Sequence, residues 1–352
     1  MSLLEEGQII RDGDYLVEKL IGVGFFAEVW RVKHCILGRQ ALKIFKTPGT
    51  LEEVKAMFEE ARLLTGFGHR NIVRVFDAAF HETAAAMHGF FTMEYVAGGS
   101  LEQFRLLRKE RLIPVAVAVD ILRQACLGLS RAHARKPPLV HRDIKPQNIL
   151  VDEDEEGFRV CVTDFGLAKH VNPIMLKAST RGTLCYRAPE CFNDPQSASC
   201  AADVWSLGLT TYLLLTDRFP YAGADLDEIK PEHFKRPLVR ASYFNGGVDE
   251  VLDEVLTRSL AVDPAERYPH VMALLKDLEG WQRQVARAQR TTFPADPSTE
   301  QEARQMVAQA VKISRSDLAG AADLLKKAMD VFPPFREEYR GLLKAYLEGK
   351  VG

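Results

Sequence analysis

His141-Arg142-Asp143-Ile144-Lys145-Pro146-Gln147-Asn148 is the stretch on which the fold turns. It follows the Pro137-Pro138 pair and precedes Ile149-Leu150-Val151, an apolar run that reads as a strand. A carboxylate, an amide and two cations crowd one short loop. That composition suits a base for a hydroxyl, a metal ligand and a phosphate contact. Thr163-Asp164-Phe165-Gly166 closes the next strand, and Asp164 is a hard oxygen donor of the kind Mg2+ uses together with substrate phosphates.

Nearer the N-terminus, Gly22-Val23-Gly24-Phe25-Phe26-Ala27-Glu28-Val29 joins two predicted strands. Glycines there let backbone N–H groups approach phosphate oxygens without a Cβ in the way, although two glycines also make an ordinary turn. On a later strand, period-two alternation puts Ala41 and Lys43 on one face, a small residue beside a cation. This suits an adenine wall with a phosphate contact; an edge charge is the plainer reading. Helical spacing over residues 51–65 groups Met57, Glu60, Ala61 and Leu64. A carboxylate among apolar neighbours needs a partner, and Lys43 is the natural candidate for Glu60 unless that glutamate is half-exposed.

Residues 15–95 are short-period and β-rich, with strands expected at 15–21, 28–33 and 40–45. After Gly98-Gly99 the character turns helical: Ser100 is an N-cap for a helix at 101–108, and 114–134 is long and apolar-periodic. A small β-rich lobe followed by a larger helical one predicts a ligand cleft between them.

Bulk properties bound the function. A net charge of -2 does not mark a nucleic-acid or anionic-membrane binder, and 47% hydrophobic residues can fill a sizeable core. The six cysteines, Cys35, Cys126, Cys161, Cys185, Cys191 and Cys200, form no CxxC pair and read as free thiols. The opening Met-Ser-Leu-Leu-Glu-Glu lacks the basic start and apolar core of a signal peptide, and no run approaches ~18 apolar residues. The expectation is a cytoplasmic protein without a membrane or nucleic-acid partner.

In order along the chain, the motifs are the Gly-rich loop, Ala41-Leu42-Lys43, Glu60, Met93-Glu94-Tyr95-Val96, His141-Arg142-Asp143, Asp164-Phe165-Gly166 and Ala188-Pro189-Glu190. Asp203-Val204-Trp205-Ser206-Leu207-Gly208 and Asp263-Pro264-Ala265-Glu266-Arg267 complete the series. On these motifs the chain resembles the eukaryotic-type serine/threonine protein kinases of bacteria. The resemblance implies an α+β, bilobal protein kinase fold over residues 15–287 after an N-terminal extension, 1–14. It sets a small β-rich N-lobe at 15–95, a hinge at 94–98 and a large helical C-lobe at 99–287. A linker at 288–300 and a helical extension at 301–352 follow.

The resemblance also implies roles. Lys43 would contact the α- and β-phosphates of ATP and pair with Glu60, beneath Gly22 and Gly24. Asp143 would orient the substrate hydroxyl, Lys145 would touch the γ-phosphate, and Asn148 with Asp164 would hold Mg2+, with Mn2+ as an alternative ion. Val29, Ala41 and Leu150 would sandwich adenine, Glu94 and Val96 would bind it through the backbone, and Met93 would be the gatekeeper. Glu190 and Arg267 would form a buried ion pair. Lys145 and the Gly182-Thr183 pair resemble the serine/threonine branch, with Thr183 touching Asp143 and Lys145. Arg142 implies a phosphate receptor for an activation segment autophosphorylated at Ser179 or Thr180. Small-molecule kinases lack the platform around Ala188-Pro189-Glu190 and Asp203. The rival from another class is a pseudokinase, a nucleotide-binding scaffold acting through its C-terminal helices. Ala27, standing where the pattern has a third glycine, keeps it in view.

Residues 301–313, 317–330 and 335–347 read as three helices. Ala321, Ala328 and Pro333 resemble the second helix of a tetratricopeptide repeat, a partial match that implies a protein partner for this tail in addition to protein substrates.

Overall fold

A computed structural model describes residues 2–24, 27–46, 58, 66, 68–83, 86–107, 113–154, 157–165, 184–192, 194–221, 229–292, 297–314, 317–333, 335, 339, 342–343 and 346. The chain divides into two compact units, Met1–Glu279 and Gly280–Gly352.

In the first unit, alternating apolar residues build an antiparallel sheet from β1 (Ile9–Ile10), β2 (Tyr15–Val23), β3 (Ala27–His34), β4 (Gly38–Phe45), β5 (Val75–Glu82) and β6 (Met87–Glu94), in the order β1-β2-β3-β4-β6-β5. Tyr15, Val17, Trp30, Val32, Leu42, Ile44 and Phe90 bury one face, together with Leu4 and Ile10 from the N-terminal segment. Register fixes the other face: Val29 lies opposite Lys43, and Ala41 opposite Met93. The helix expected at 51–65 lies outside the described residues except for Phe58.

Past β6 the chain turns at Gly98, where an added Cβ would come within 2.3 Å of the Val151 carbonyl oxygen. Only glycine permits that approach, and Val151 N–H then bonds to the Gly99 carbonyl at 2.9 Å. Helix α1 (Leu101–Leu106) starts at Ser100 as expected, with a capping box in which Ser100 Oγ accepts from Gln103 N–H and Gln103 Oε1 accepts from Ser100 N–H. Helix α2 (Val115–His133) packs on the hairpin of β7 (Ile149–Asp154) and β8 (Gly157–Val162). Helix α3 (Cys200–Thr216) is buried from Ala201 to Thr216, which is why its sequence is apolar all round. Helix α4 (Glu250–Ser259) packs against it, and Asp249 caps α4 by accepting from Leu252 N–H at 2.8 Å.

Helix α5 (Val271–Thr292) and α6 (Pro297–Ile313) occupy most of the stretch read as a linker at 288–300; residues 293–296 lie outside the described residues. Physically, the Ala/Arg/Gln-rich run to Arg290 favours helix, and a proline is tolerated in the first helical turn. In the second unit α6 and α7 (Leu318–Val331) pack through Ala303, Val307 and Ala310 against Ala321, Ala322, Leu325 and Ala328. Among the described residues no helix is long and apolar enough to cross a membrane.

Candidate active site

The loop at 141–148 hangs on one buried carboxylate. Asp203, on α3, is fully buried and accepts from the backbone N–H of His141 at 2.7 Å and of Arg142 at 2.9 Å, while His133 Nε2 lies 2.9 Å away. A buried carboxylate without donors would be costly; here it organises a loop. Arg142 sits at φ +69°, a left-handed conformation a side chain rarely adopts, and the Asp203 bonds help hold it there. His141 is also buried. Its Nε2 lies 2.8 Å from the Thr163 carbonyl, Asp143 N–H donates to its Nδ1 at 3.3 Å, and its ring packs 4.7 Å from Phe165. Those bonds are mutually consistent for a neutral ring with its proton on Nε2.

The frame delivers Asp143 to a polar cluster. Lys145 Nζ lies 2.9 Å from Asp143 Oδ2, and Asn148 Nδ2 donates to both the Oδ2 and the backbone carbonyl of Asp143, at 2.9 and 2.8 Å. Asp164, at φ +62°, turns its carboxylate to Lys43 Nζ at 2.7 Å. Burial pushes the Asp164 carboxyl up, but the Lys43 ammonium, helped by His141 and Lys145, more than offsets this and holds it below the usual carboxylate range. Lys43, Asp143, Lys145, Asn148 and Asp164, dispersed over the sequence, thus form two linked acid–base groupings joined through the His141–Thr163 bond.

Beside them, the β3–β4–β6 register places Val29, Ala41, Lys43 and Met93 on one face. Met93 also lines a small, mostly apolar pocket with Val73, Phe91, Val162 and Phe165, to which Thr163 and Asp164 add the polar lining. Leu150 is bridged to Ser100, just past the turn that carries Val96. At Glu94 the backbone N–H donates to the Arg74 carbonyl, and the side chain is gripped by both terminal nitrogens of Arg159 at 2.5 and 3.1 Å. Gly22 pairs with Val29, and Gly24 N–H closes the Gly-rich hairpin on the Ala27 carbonyl at 2.8 Å. Arg142 is exposed. Glu60, Ser179, Thr180 and Thr183 lie outside the described residues, so the expected Lys43–Glu60 pair does too.

Away from the cleft, Arg267 is buried and binds both oxygens of Glu190, Nη1 to Oε1 at 2.8 Å and Nη2 to Oε2 at 2.7 Å. Its remaining donors reach the carbonyls of Ala261, Ala201 and Val262, and it stacks over Trp205 at 4.9 Å. Sequence reasoning did not assign the roles of His133, Arg159 and Asp203. Only Asp203 left a signal, a carboxylate inside an otherwise apolar helix.

Residues 15–278 match the protein kinase domain model, and the chain belongs to the protein kinase family. It is a serine/threonine protein kinase by its relatives. Serine/threonine-protein kinase PknL of Mycobacterium tuberculosis is 32% identical over 280 residues, covering 78% of this chain and 67% of PknL. PrkC of Bacillus subtilis is 29% identical over 320 residues, covering 88% of this chain but 46% of PrkC. Among solved structures, the kinase domain of M. tuberculosis PknI is similar with a TM-score of 0.58 and 25% identity, over 79% of this chain and 99% of that one.

Proposed function

We propose that the protein transfers the γ-phosphoryl group of Mg-ATP to serine or threonine hydroxyls of protein substrates. The observation that carries this reading is the pairing of Lys43 with Asp164 beside the cluster of Asp143, Lys145 and Asn148. Lys43 binds and orients the α- and β-phosphates. Asp143, its carboxylate aimed by Lys145 and Asn148, positions the incoming hydroxyl and receives its proton at a carboxylate oxygen. Lys145 neutralises charge on the transferred group.

Asp164 and Asn148 fit Mg2+, because the Asp164 carboxyl is held ionised and the Asn148 amide nitrogen is spent on Asp143, leaving its oxygen as the ligand atom. Bound there, the ion supplies charge neutralisation at the phosphates, and Mn2+ offers the same chemistry. Val29, Ala41 and Leu150 sandwich adenine, Glu94 and Val96 bind its edge through the backbone, and Met93 bounds the pocket. Gly22 and Gly24 bring the loop to the phosphates.

We assign activation to autophosphorylation of Ser179 or Thr180, with the exposed Arg142 receiving the phosphate and Thr183 contacting Asp143 and Lys145. Residues 301–352 bind a protein partner, and the reaction runs in the cytoplasm, in keeping with six cysteines that are all unbridged.

The deciding experiment is Mg-ATP phosphotransfer to a protein substrate by this chain beside Asp143→Asn. Incorporation by the parent and its near-abolition in the variant are expected; equal incorporation in both would refute the assignment. Phosphopeptide mapping after incubation with ATP tests the switch, since phosphate absent from residues 170–186 rules it out.

A further inference from the structure

Glu28 comes immediately after the Gly-rich hairpin, and its side chain is buried. A buried carboxylate must find donors. One oxygen, Oε2, accepts three: Ser2 Oγ–H at 2.9 Å, Leu3 N–H at 3.1 Å and Trp30 Nε1–H at 3.1 Å. Burial pushes the Glu28 carboxyl up, and these donors together with the nearby Lys46 ammonium prevail and hold it below the usual range. Leu4, the next residue of the N-terminal segment, is 1% exposed and packs in the cluster of Trp30, Val32, Leu42 and Ile44. Residues 2–4 are therefore attached twice, by a polar clip to Glu28 and by an apolar plug in the sheet.

The clip acts on the hairpin through a rigid path. Along β3, Glu28 and Trp30 face the cluster side, while Val29 between them faces Lys43. A shift of Glu28 moves Ala27 and Val29 with it, because they share peptide planes with it. The opposite strand is tied as well: Lys46 Nζ donates to the Gly24 carbonyl at 2.9 Å. Ala27 occupies the third position of the glycine pattern and adds a Cβ to the loop, so loop placement relies more on its anchors.

We propose that residues 2–4 clamp Glu28, a positioning residue, and thereby set the depth at which the Gly-rich loop meets the nucleotide phosphates. This rests on the reading of Mg-ATP as the donor in this cleft. A loop displaced by about 1 Å loses the alignment of its backbone N–H groups with the phosphates.

The test uses the full chain carrying Ser2→Ala together with Leu3→Pro, which deletes two of the three donors and leaves Leu4 in place. Affinity for a Mg-bound, non-hydrolysable ATP analogue and for adenosine is measured by calorimetry, alongside the KM for ATP and kcat. The expected result is a roughly three- to tenfold loss of analogue affinity and a matching rise in KM. Adenosine affinity falls by less, about twofold at most, because adenosine touches Val29 but has no phosphates for the loop to meet, and kcat at saturating ATP changes about twofold or less. Ser2→Thr, which keeps the hydroxyl, behaves as the parent. If the double variant fails to fold, Glu28→Gln, with a weaker acceptor of the same shape, shows an intermediate loss.

A lowered melting temperature with an unchanged ratio of analogue to adenosine affinity overturns the clamp. A parent chain that binds adenosine but not the analogue overturns the donor reading instead, before any variant is made.

Discussion

Asp203 accepts the backbone N–H of His141 at 2.7 Å and lies 2.9 Å from His133 Nε2, so one carboxylate on α3 ties α2 to the loop that carries Asp143. Burial disfavours a charged His133, but the Asp203 carboxylate together with Cys200 outweighs it and pushes the imidazole up to about 9, above its ordinary 6.5. With the folded value raised, this pair's contribution is fully present below about pH 6.5 and is lost as pH rises through about 9. Urea unfolding at about pH 6 and about pH 9.5 should show stability declining with pH, and Asp203→Asn should flatten that slope. Because Asp203→Asn also leaves His133 without its counter-charge, it should cost about 3–5 kcal/mol near pH 6.

The Lys43–Asp164 pair makes Asp164→Asn an informative variant. Asparagine tolerates the φ of +62° found at this position, so the change removes charge without adding backbone strain. Phosphotransfer should fall by about 10²–10³-fold or more, while adenosine binding measured by calorimetry persists. A chelator should stop the parent reaction, and Mg2+ or Mn2+ should restore it. Loss of adenosine binding in Asp164→Asn would count against the separate roles given to the two ends of the cleft.

Arg159 holds Glu94 by two nitrogens across a sequence separation of 65 residues. Arg159→Met keeps the stem and deletes the fork, freeing the segment expected to bind adenine. The KM for ATP should rise roughly two- to tenfold with a smaller change in kcat. Adenosine affinity should fall in parallel, the opposite of the pattern expected from the Glu28 clamp. The same calorimetric pair of ligands therefore separates hinge effects from loop effects.

Arg267→Met should destabilise without touching the reacting groups. It strands the Glu190 carboxylate beside a buried site and leaves the carbonyls of Ala261 and Val262 without their donors. Chemical denaturation should register a loss of about 3–5 kcal/mol. Arg267→Lys should recover little of it, since one ammonium cannot span a bidentate carboxylate and several carbonyls at once.

The family, the two-part α+β layout and the polar loop around Asp143 are all legible in the sequence. Those signals are local: alternation over β2–β4, a capping box at Ser100 and Gln103, and charged residues crowded between strands. The helical course of much of residues 288–300 is not legible in the same way, because Pro297 and the polar residues around it resemble a linker until the first-turn tolerance for proline is considered. What holds the site in place emerges only on folding. Asp203 meets His141 across 62 residues, Glu28 meets Ser2 across 26, and Lys43 on β4 meets Asp164 just past β8. Each of these carboxylates lacks its partner when read alone, even Asp164 with its metal-ligand signal and Asp203 in its apolar helix. Its role depends on which donors folding brings to it after water has been removed, and no periodicity or spacing along the chain records that.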